Sequence, residues 1–224
     1  MSVDEHKIYF ITGNAGKVEE AKHAIGPELF AGTTNIPMVE IQSDSHRDII
    51  YEKARSVVKV FEDPTTDQQL PLTQSKTYYI NAIIEDTGLE IANMNGFPGP
   101  YIRDYYNKLG RPGICSFNGG SAATFVSYSA GVIISNLTGL PGDTYSDIRI
   151  FETRVDGVIT TSPRGEKGFG FDPIFIPNGC YQTLGEMDLP EKQEYSARMQ
   201  SIRKASEWLA GKIPIVCNEP PTDY

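Results

Sequence analysis

The start of the sequence constrains the fold most. Residues 8–12, IYFIT, form a short apolar run typical of a buried strand, and residues 13–16, GNAG, then predict a tight turn. Apolar residues follow at helical spacing, at Val18, Ala21 and Ile25. A strand, a glycine-rich turn and a helix in this order predict the opening unit of an α/β protein.

Later segments alternate in the same way before the middle of the chain becomes rich in strands. Periodicity predicts helices over residues 48–61 and 196–209, strands over 79–85 and within 122–135, and a strand pair over 147–161 with a hairpin at Asp156-Gly157. We expect a mixed α/β fold with a cleft between two lobes. Residues 1–212 form one predicted domain, residues 63–76 an exposed loop, and residues 213–224 a proline-rich tail.

Charge and cysteine usage argue against several classes of protein. The formal net charge of -9 disfavours a broad nucleic-acid surface, which needs clustered Lys and Arg. Three widely spaced cysteines and three scattered histidines predict neither a disulfide scaffold nor a zinc site. No apolar run reaches the roughly 18 residues that would span a membrane, and the first residues, MSVDEHK, do not resemble a signal peptide. We therefore expect a cytoplasmic protein with no nucleic-acid or membrane partner.

The glycine-rich turn is a candidate phosphate-binding loop. It runs TGNAGK from Thr12 to Lys17, where a helix N-terminus offers free backbone N–H groups to an anion. Lys17 adds a full positive charge and Asn14 a side-chain donor. Because Val18 follows the lysine, the segment is not a Walker A loop, and by itself it is equally compatible with an ordinary strand–helix turn.

Acidic residues supply a candidate metal or water-activating site. Glu85 and Asp86 close the apolar strand predicted over 79–85, and ligands of α/β proteins bind at strand ends. Because successive strand residues point to opposite faces, only one of the two is expected to face the cleft. Glu40 follows an apolar pair and offers a further oxygen ligand, although a solvated surface charge is the simpler explanation for this residue alone.

Two late segments carry candidate base- and phosphate-binding residues. In RGEKGFGFDP, glycines flank Phe169, so that its ring can lie open for a purine to stack, while Asp172 can accept a hydrogen bond from a base or ribose. The alternative is a turn with core aromatics. In EKQEYSAR, Ser196 is a suitable helix N-cap, and Lys192 and Arg198 place cations near a helix start, where the helix dipole favours anions.

Five segments in order carry a family resemblance: TGNAGK, EDTGLE, GFPGPYI, RGEKGFGFDPIF and GEMDLPEKQEYSAR. Together they resemble the inosine triphosphate pyrophosphatase family, also called HAM1-like, from residue 8 to about residue 210. The resemblance implies an elongated mixed central sheet with flanking helices, an active-site cleft between two lobes, a homodimer and a requirement for Mg²⁺. It also implies cleavage of ITP, dITP and XTP between the α and β phosphates, which gives a monophosphate and pyrophosphate.

The resemblance assigns roles position by position. It implies catalytic roles for Asp86 and Lys17 and metal binding by Glu40 and Asp86. It implies substrate binding by Thr12, Asn14, Lys17, Lys53, Phe169, Phe171, Asp172, Lys192, Ser196 and Arg198. Within that set Phe169 would stack on the base, and Phe171 and Asp172 would complete the base pocket.

The sequence also departs from the family pattern. Ser196-Ala197-Arg198 stands where the family usually has Ser-His-Arg, and Phe171 stands where tryptophan is common. Losing one neutral hydrogen bond costs about 0.5–1.5 kcal/mol, so we expect selectivity for the base to relax rather than vanish. Two alternatives stay open: a related Maf-like pyrophosphatase with a different nucleotide preference, and a catalytically weak nucleotide-binding protein.

Overall fold

The computed structural model describes residues 7–63, 77–140 and 142–212. In that part of the chain the strands are β1 (Ile8–Ile11), β2 (Phe30–Thr34), β3 (Tyr78–Ile91), β4 (Pro98–Gly99), β5 (Ala122–Asn136), β6 (Tyr145–Ile159) and β7 (Phe175–Pro177). The α-helices are α1 (Val18–Ile25), α2 (His46–Glu62), α3 (Ile102–Asn118), α4 (Leu189–Tyr195) and α5 (Ala197–Ala210). Short 3-10 helices span Ala15–Lys17, Ala92–Met94 and Asp172–Ile174.

The strands form one mixed sheet in the order β2-β1-β3-β5-β6-β7, with β4 also paired to β3. β1 runs parallel to β2 and β3, whereas the pairs from β3 through β5 and β6 to β7 are antiparallel. This arrangement confirms the predicted mixed α/β class, with helices flanking a central sheet.

The long strands β3 and β5 are shared by three apolar clusters. Near the start of β3, Ile80 and Ile84 pack on one face against α2, while Ile83 packs on the opposite face against α1 and α5. At the far end, Leu89 joins a third cluster with residues of α3 and β7. Alternate residues of β3 therefore point to different helices, as strand geometry requires.

One edge of β3 is left open in its middle. β1 covers that edge only as far as Ile83, and β4 covers it again from Leu89. The residues between them, 84–88, face the loop that follows β1. We call this uncovered stretch of β3 the notch; side chains from both faces of the strand can reach it.

Two strand predictions are wrong in their limits. The strand predicted over 79–85 continues to Ile91, because Thr87 and Gly88 also pair with β5. Glu85 and Asp86 therefore lie in the middle of β3 and not at its end. The hairpin predicted at Asp156-Gly157 does not exist, since β6 continues through both residues. Gly157 is needed there for close approach, because a Cβ atom would lie 2.1 Å from the Ile176 carbonyl oxygen of β7.

Two helices were not predicted. α3 is interrupted at Gly110, whose φ of 62° is not helical, and it contains Pro112, so glycine and proline obscure its pattern. α4 is a short helix that begins with a proline at its first turn. The predictions for residues 1–6, 64–76 and 213–224 lie outside the described residues. Among the described helices, none is long and apolar enough to cross a membrane.

Candidate active site

The loop after β1 is ordered by its own side chains. Thr12 Oγ1 accepts a hydrogen bond from Asn14 N at 3.1 Å, and Asn14 Oδ1 accepts one from Gly16 N at 2.9 Å. Asn14 thereby caps the 3-10 helix that leads into α1. The predicted phosphate-binding segment is thus a preformed helix N-terminus beside the notch.

Glu85 lies at the centre of a buried charge cluster on the α5 face of β3. Its Oε2 is 2.8 Å from Lys17 Nζ and 3.4 Å from Arg198 Nε, and Ser127 Oγ donates to its Oε1 at 2.8 Å. Only 5% of Glu85 is exposed. Burial alone would raise the pKa of its carboxyl, but the charges of Lys17 and Arg198 outweigh burial and lower it.

Glu20 on α1 extends this cluster and was not predicted. Arg198 Nη1 lies 2.7 Å from Glu20 Oε2, and Lys192 binds the other carboxylate oxygen of Glu20. Lys192 Nζ is also 2.8 Å from Asp172 Oδ2. The one sequence feature that could have indicated Glu20 is its position three residues after Lys17, which places both side chains on the same helix face.

The pKa values of Glu20 and Asp172, the two carboxyl groups that bind Lys192, are shifted in opposite directions. Burial opposes ionisation of Glu20, but Arg198 and Lys192 together lower its pKa below the usual range. The pKa of Asp172 is raised, chiefly by burial and also by the neighbouring charge of Glu20. The cluster therefore favours charge on Glu20.

A second charge cluster lies on the α2 face of β3. Lys53 Nζ is 2.6 Å from Asp86 Oδ1 and 3.2 Å from Glu40 Oε1, and Arg103 Nη2 is 3.1 Å from Glu40 Oε2. Burial would raise the pKa of Asp86, but the His46 imidazole and the charges of Lys53 and Lys17 hold it well below its usual range. The same carboxylates raise the pKa of Lys53 despite its burial.

The two clusters meet at the notch. Lys17 Nζ donates to the backbone carbonyl of Glu85 at 3.3 Å, and its charge also acts on Asp86. Glu85 and Asp86 point to opposite faces of β3, as predicted, but the open edge of the strand lets Lys17 act on both of them. The predicted residues Lys17, Lys53, Glu40 and Asp86 converge there.

Phe169 lies against the phosphate-binding loop. Its half-buried ring has the Arg198 guanidinium 4.5 Å from its centroid, and a Cβ atom on Gly16 would lie 3.1 Å from its Cγ. Asp172 Oδ2 accepts a hydrogen bond from Phe169 N at 2.7 Å. Gly168, with a φ of +75°, allows this turn, since a Cβ atom there would lie 2.4 Å from that same oxygen.

The side chains of three predicted substrate-binding residues make structural contacts in the folded chain. Phe171 is only 6% exposed and packs edge-on against Phe125, 5.0 Å between centroids, so its ring lies in the core, and its role in the base pocket stays a prediction. Asp172 is buried and holds Lys192 and the Phe169 turn. Ser196 is fully buried, and its Oγ accepts from Met199 N, which confirms it as the N-cap of α5.

The donor set around Lys53 fits a divalent cation. Glu40 and Asp86 already converge on one positive charge, the Lys53 ammonium. No group of three or more His, Cys, Asp or Glu spaced for a metal occurs among the described residues. Two carboxylates that face one cation form a donor set that suits Mg²⁺, which proteins commonly hold through one or two carboxylates and substrate phosphates.

Two cavities in the described part of the chain lie away from these clusters. One, of about 310 Å³, lies between α2 and β6, with Arg55, Lys59 and Asp147 in its wall. The other, of about 540 Å³, lies at the far end of β3 beside Glu90 and Gly157. Neither of these cavities contains the residues that converge at the notch.

The fold and the notch define an α/β protein with a helix N-terminus and two charge clusters at one open strand edge, and comparison with known proteins gives its family. The chain matches the model of the Ham1 family over residues 8–208. It is 32% identical over 206 residues to a dITP/XTP pyrophosphatase of Thermococcus kodakarensis, covering 91% of this chain and 97% of that protein. It is 31% identical over 204 residues to inosine triphosphate pyrophosphatase 1 of Trypanosoma cruzi, covering 88% and 89% of the two chains. A HAM1 protein from Coxiella burnetii has a similar fold, with a TM-score of 0.60 at 22% identity over 92% of this chain and 98% of that chain. The chain belongs to the Ham1 family.

Proposed function

We propose that this chain is a nucleoside triphosphate pyrophosphatase that hydrolyses the non-canonical purine nucleotides ITP, dITP and XTP to the monophosphate and pyrophosphate. The observation that carries the proposal is the convergence at the notch of the Thr12–Lys17 loop with Lys53 and its two carboxylates. The names of the relatives, dITP/XTP pyrophosphatase and inosine triphosphate pyrophosphatase, support the same activity.

The charge balance of the two clusters favours a requirement for Mg²⁺. The cations are Lys17, Lys53, Arg103, Lys192 and Arg198, and the carboxylates are Glu20, Glu40, Glu85, Asp86 and Asp172. Formally these charges cancel, so the clusters alone offer no net positive charge to a triphosphate. A divalent cation at Glu40 and Asp86 would supply it.

The residues at the notch suggest how the reaction proceeds. Lys17 and Lys53 would turn from Glu85 and Asp86 to the phosphate oxygens and hold the triphosphate in place. Asp86, ionised at neutral pH, would orient the water that attacks the α phosphorus, and pyrophosphate would leave. Bound Mg²⁺ would stabilise negative charge on the phosphates as the bond breaks. Most of the rate enhancement would then come from positioning and charge stabilisation.

Recognition of the base would depend on Phe169 and Arg198. A base that stacks on Phe169 takes the ring face which the Arg198 guanidinium now covers, and the displaced guanidinium can then donate to the keto oxygen at the six position. Adenine carries an amino group there, which would leave ATP with a buried mismatch. Ala197 is fully buried in the third apolar cluster, and its methyl group offers the base no hydrogen bond.

The family resemblance is also the basis for two further proposals. The enzyme would act as a homodimer, and it would be located in the cytoplasm. Sedimentation of the purified protein at several concentrations tests the first proposal, because a stable dimer would sediment at about twice the chain mass of 24.8 kDa.

The activity is tested by incubating the purified protein with Mg²⁺ and each of ITP, XTP, dITP, dUTP, GTP and ATP, and measuring pyrophosphate release. We expect rapid release from ITP, dITP and XTP, little from ATP, and none from any nucleotide with Asp86→Asn. Preference for dUTP or another pyrimidine would favour a Maf-like enzyme. Binding of ITP without release of pyrophosphate would favour a nucleotide-binding protein, and an active, folded Asp86→Asn variant would contradict the role of Asp86.

A further inference from the structure

His46, the first residue of α2, is a buried histidine whose ring nitrogens have no hydrogen-bond partner in the described part of the chain. Only 5% of the residue is exposed. Buried polar groups are normally paired, because leaving one unpaired costs about 1–3 kcal/mol. The two unpaired nitrogens of the His46 imidazole therefore need an explanation.

The surroundings fix the position of this imidazole. Ser45 Oγ accepts from Asp48 N and caps α2, so that the helix begins at His46. The imidazole stacks on the Tyr128 ring, with 5.6 Å between centroids and an angle of 11° between planes. Beneath it lies Gly88 of β3, where a Cβ atom would be 2.1 Å from His46 Cε1. Any side chain at residue 88 would displace the ring.

The imidazole is directed at Asp86. His46 Nδ1 lies 3.9 Å from Asp86 Oδ2, whereas Lys53 binds the other oxygen, Oδ1, at 2.6 Å. A distance of 3.9 Å is too long for a hydrogen bond, which needs about 3.2 Å or less. Contacts of catalytic groups are often long in the empty enzyme and shorten when substrate binds.

We propose that His46 is a positioning residue that donates a hydrogen bond from Nδ1 to Asp86 Oδ2 once substrate is bound. The inference rests on the proposed function, in which Lys53 turns to the phosphates. Asp86 Oδ1 then exchanges Lys53 for the bound cation, and Oδ2 is left with no partner that fixes its direction toward the attacking water. His46, held between Tyr128 and Gly88, is the group that keeps the carboxylate oriented at that stage.

The test compares two substitutions of the same residue. Asn keeps an N–H donor at the same number of bonds from the backbone as His46 Nδ1, whereas Leu fills similar space without a donor. We expect His46→Leu to lower kcat for Mg²⁺-ITP about tenfold or more, as befits a hydrogen bond to a charged group, with KM changed less than twofold. We expect His46→Asn to stay within threefold of the wild-type kcat. His23→Leu, at an exposed position on α1, is the matched control and should behave as wild type.

Each other outcome overturns the inference. A His46→Leu variant with nearly wild-type kcat would show that Asp86 needs no support from the imidazole. Equal losses in His46→Asn and His46→Leu would assign His46 a packing role, and a rise in KM without loss of kcat would mean that it contacts substrate. Melting temperatures of all variants identify any that fail to fold. Turnover of ITP by the wild-type protein tests the proposed function independently of these variants.

Discussion

Phe169 and Phe171 are separated by one glycine but occupy opposite environments. Phe169 lies at the notch under Arg198, and Phe171 lies in the core against Phe125. Gly170, with a φ of +56°, reverses the chain between them. In this turn the sequence FGF does not alternate as a strand would, and only the three-dimensional structure distinguishes the exposed ring from the buried one.

The two rings therefore make a matched pair of variants. Phe169→Ala should weaken binding of ITP by about 1–3 kcal/mol, roughly 5- to 150-fold in KM, while unfolding in urea changes little. Phe171→Ala should instead cost about 3–5 kcal/mol in the free energy of unfolding, since it removes a buried ring. Steady-state kinetics and urea denaturation of both variants measure this, and a reversed pattern would contradict our placement of the two rings.

The charged residues of the site were predictable only in part. Lys17 and Asp86 adjoin recognisable signals, a helix start and an apolar strand, so both were candidates from the sequence, and the family resemblance favoured Asp86 over Glu85. Glu20 was missed because its partners, Lys192 and Arg198, lie more than 170 residues away along the chain, and spacing cannot reveal such a pairing. His46 and Arg103 were missed for the same reason, since their roles depend on which carboxylate the fold brings next to them.

At the level of elements, periodicity identified most strands and helices but not where they end. An alternating pattern cannot show that β3 passes the end of β1 and continues to β4, because that depends on the lengths of its neighbours. The sequence also cannot show whether a glycine marks a turn or lies within a strand. Asp156-Gly157 is a common hairpin sequence, but here β6 continues through it, and Gly157 allows β7 to approach where the β6–β7 ladder begins.

Gly157→Ala tests this interpretation of β6. The added Cβ atom would meet the Ile176 carbonyl oxygen at 2.1 Å and Phe175 Cζ at 2.7 Å. We expect a loss of about 1–3 kcal/mol in the free energy of unfolding, together with a raised KM for ITP, because β7 adjoins the turn that carries Phe169. Gly211→Ala, whose Cβ atom would make only ordinary contacts, is the control and should be close to neutral in urea denaturation.

At the level of the whole molecule, the buried carboxylates determine how stability varies with pH. Glu20, Glu85 and Asp86 have lower pKa values in the folded chain than in the unfolded chain, where carboxyls titrate near pH 4. Their contribution to the free energy of unfolding is complete above about pH 4. It is lost as the pH falls through the pKa values of these groups in the folded chain. Asp172, with its raised pKa, acts in the opposite direction and offsets part of the loss.

We therefore expect the free energy of unfolding to be nearly constant from pH 7 to about pH 5 and to fall steadily below about pH 4. Urea denaturation at a series of pH values measures this. A Glu85→Gln variant should show a shallower fall, because one of the titrating groups has been removed. Stability that rose on acidification would mean that these ion pairs do not stabilise the fold.

The uninterrupted ladder between β3 and β5 has a mechanical consequence. The two strands stay paired from Tyr78 opposite Asn136 to Ile91 opposite Ala123, past the notch and across both ends of the sheet. A hinge needs a few residues that can absorb large changes in φ and ψ, and here such changes would break the ladder. The two ends can therefore only bend or twist relative to each other. Nucleotide must enter by rearrangement of side chains and loops around a stiff sheet, and we expect heat to melt both ends in a single transition.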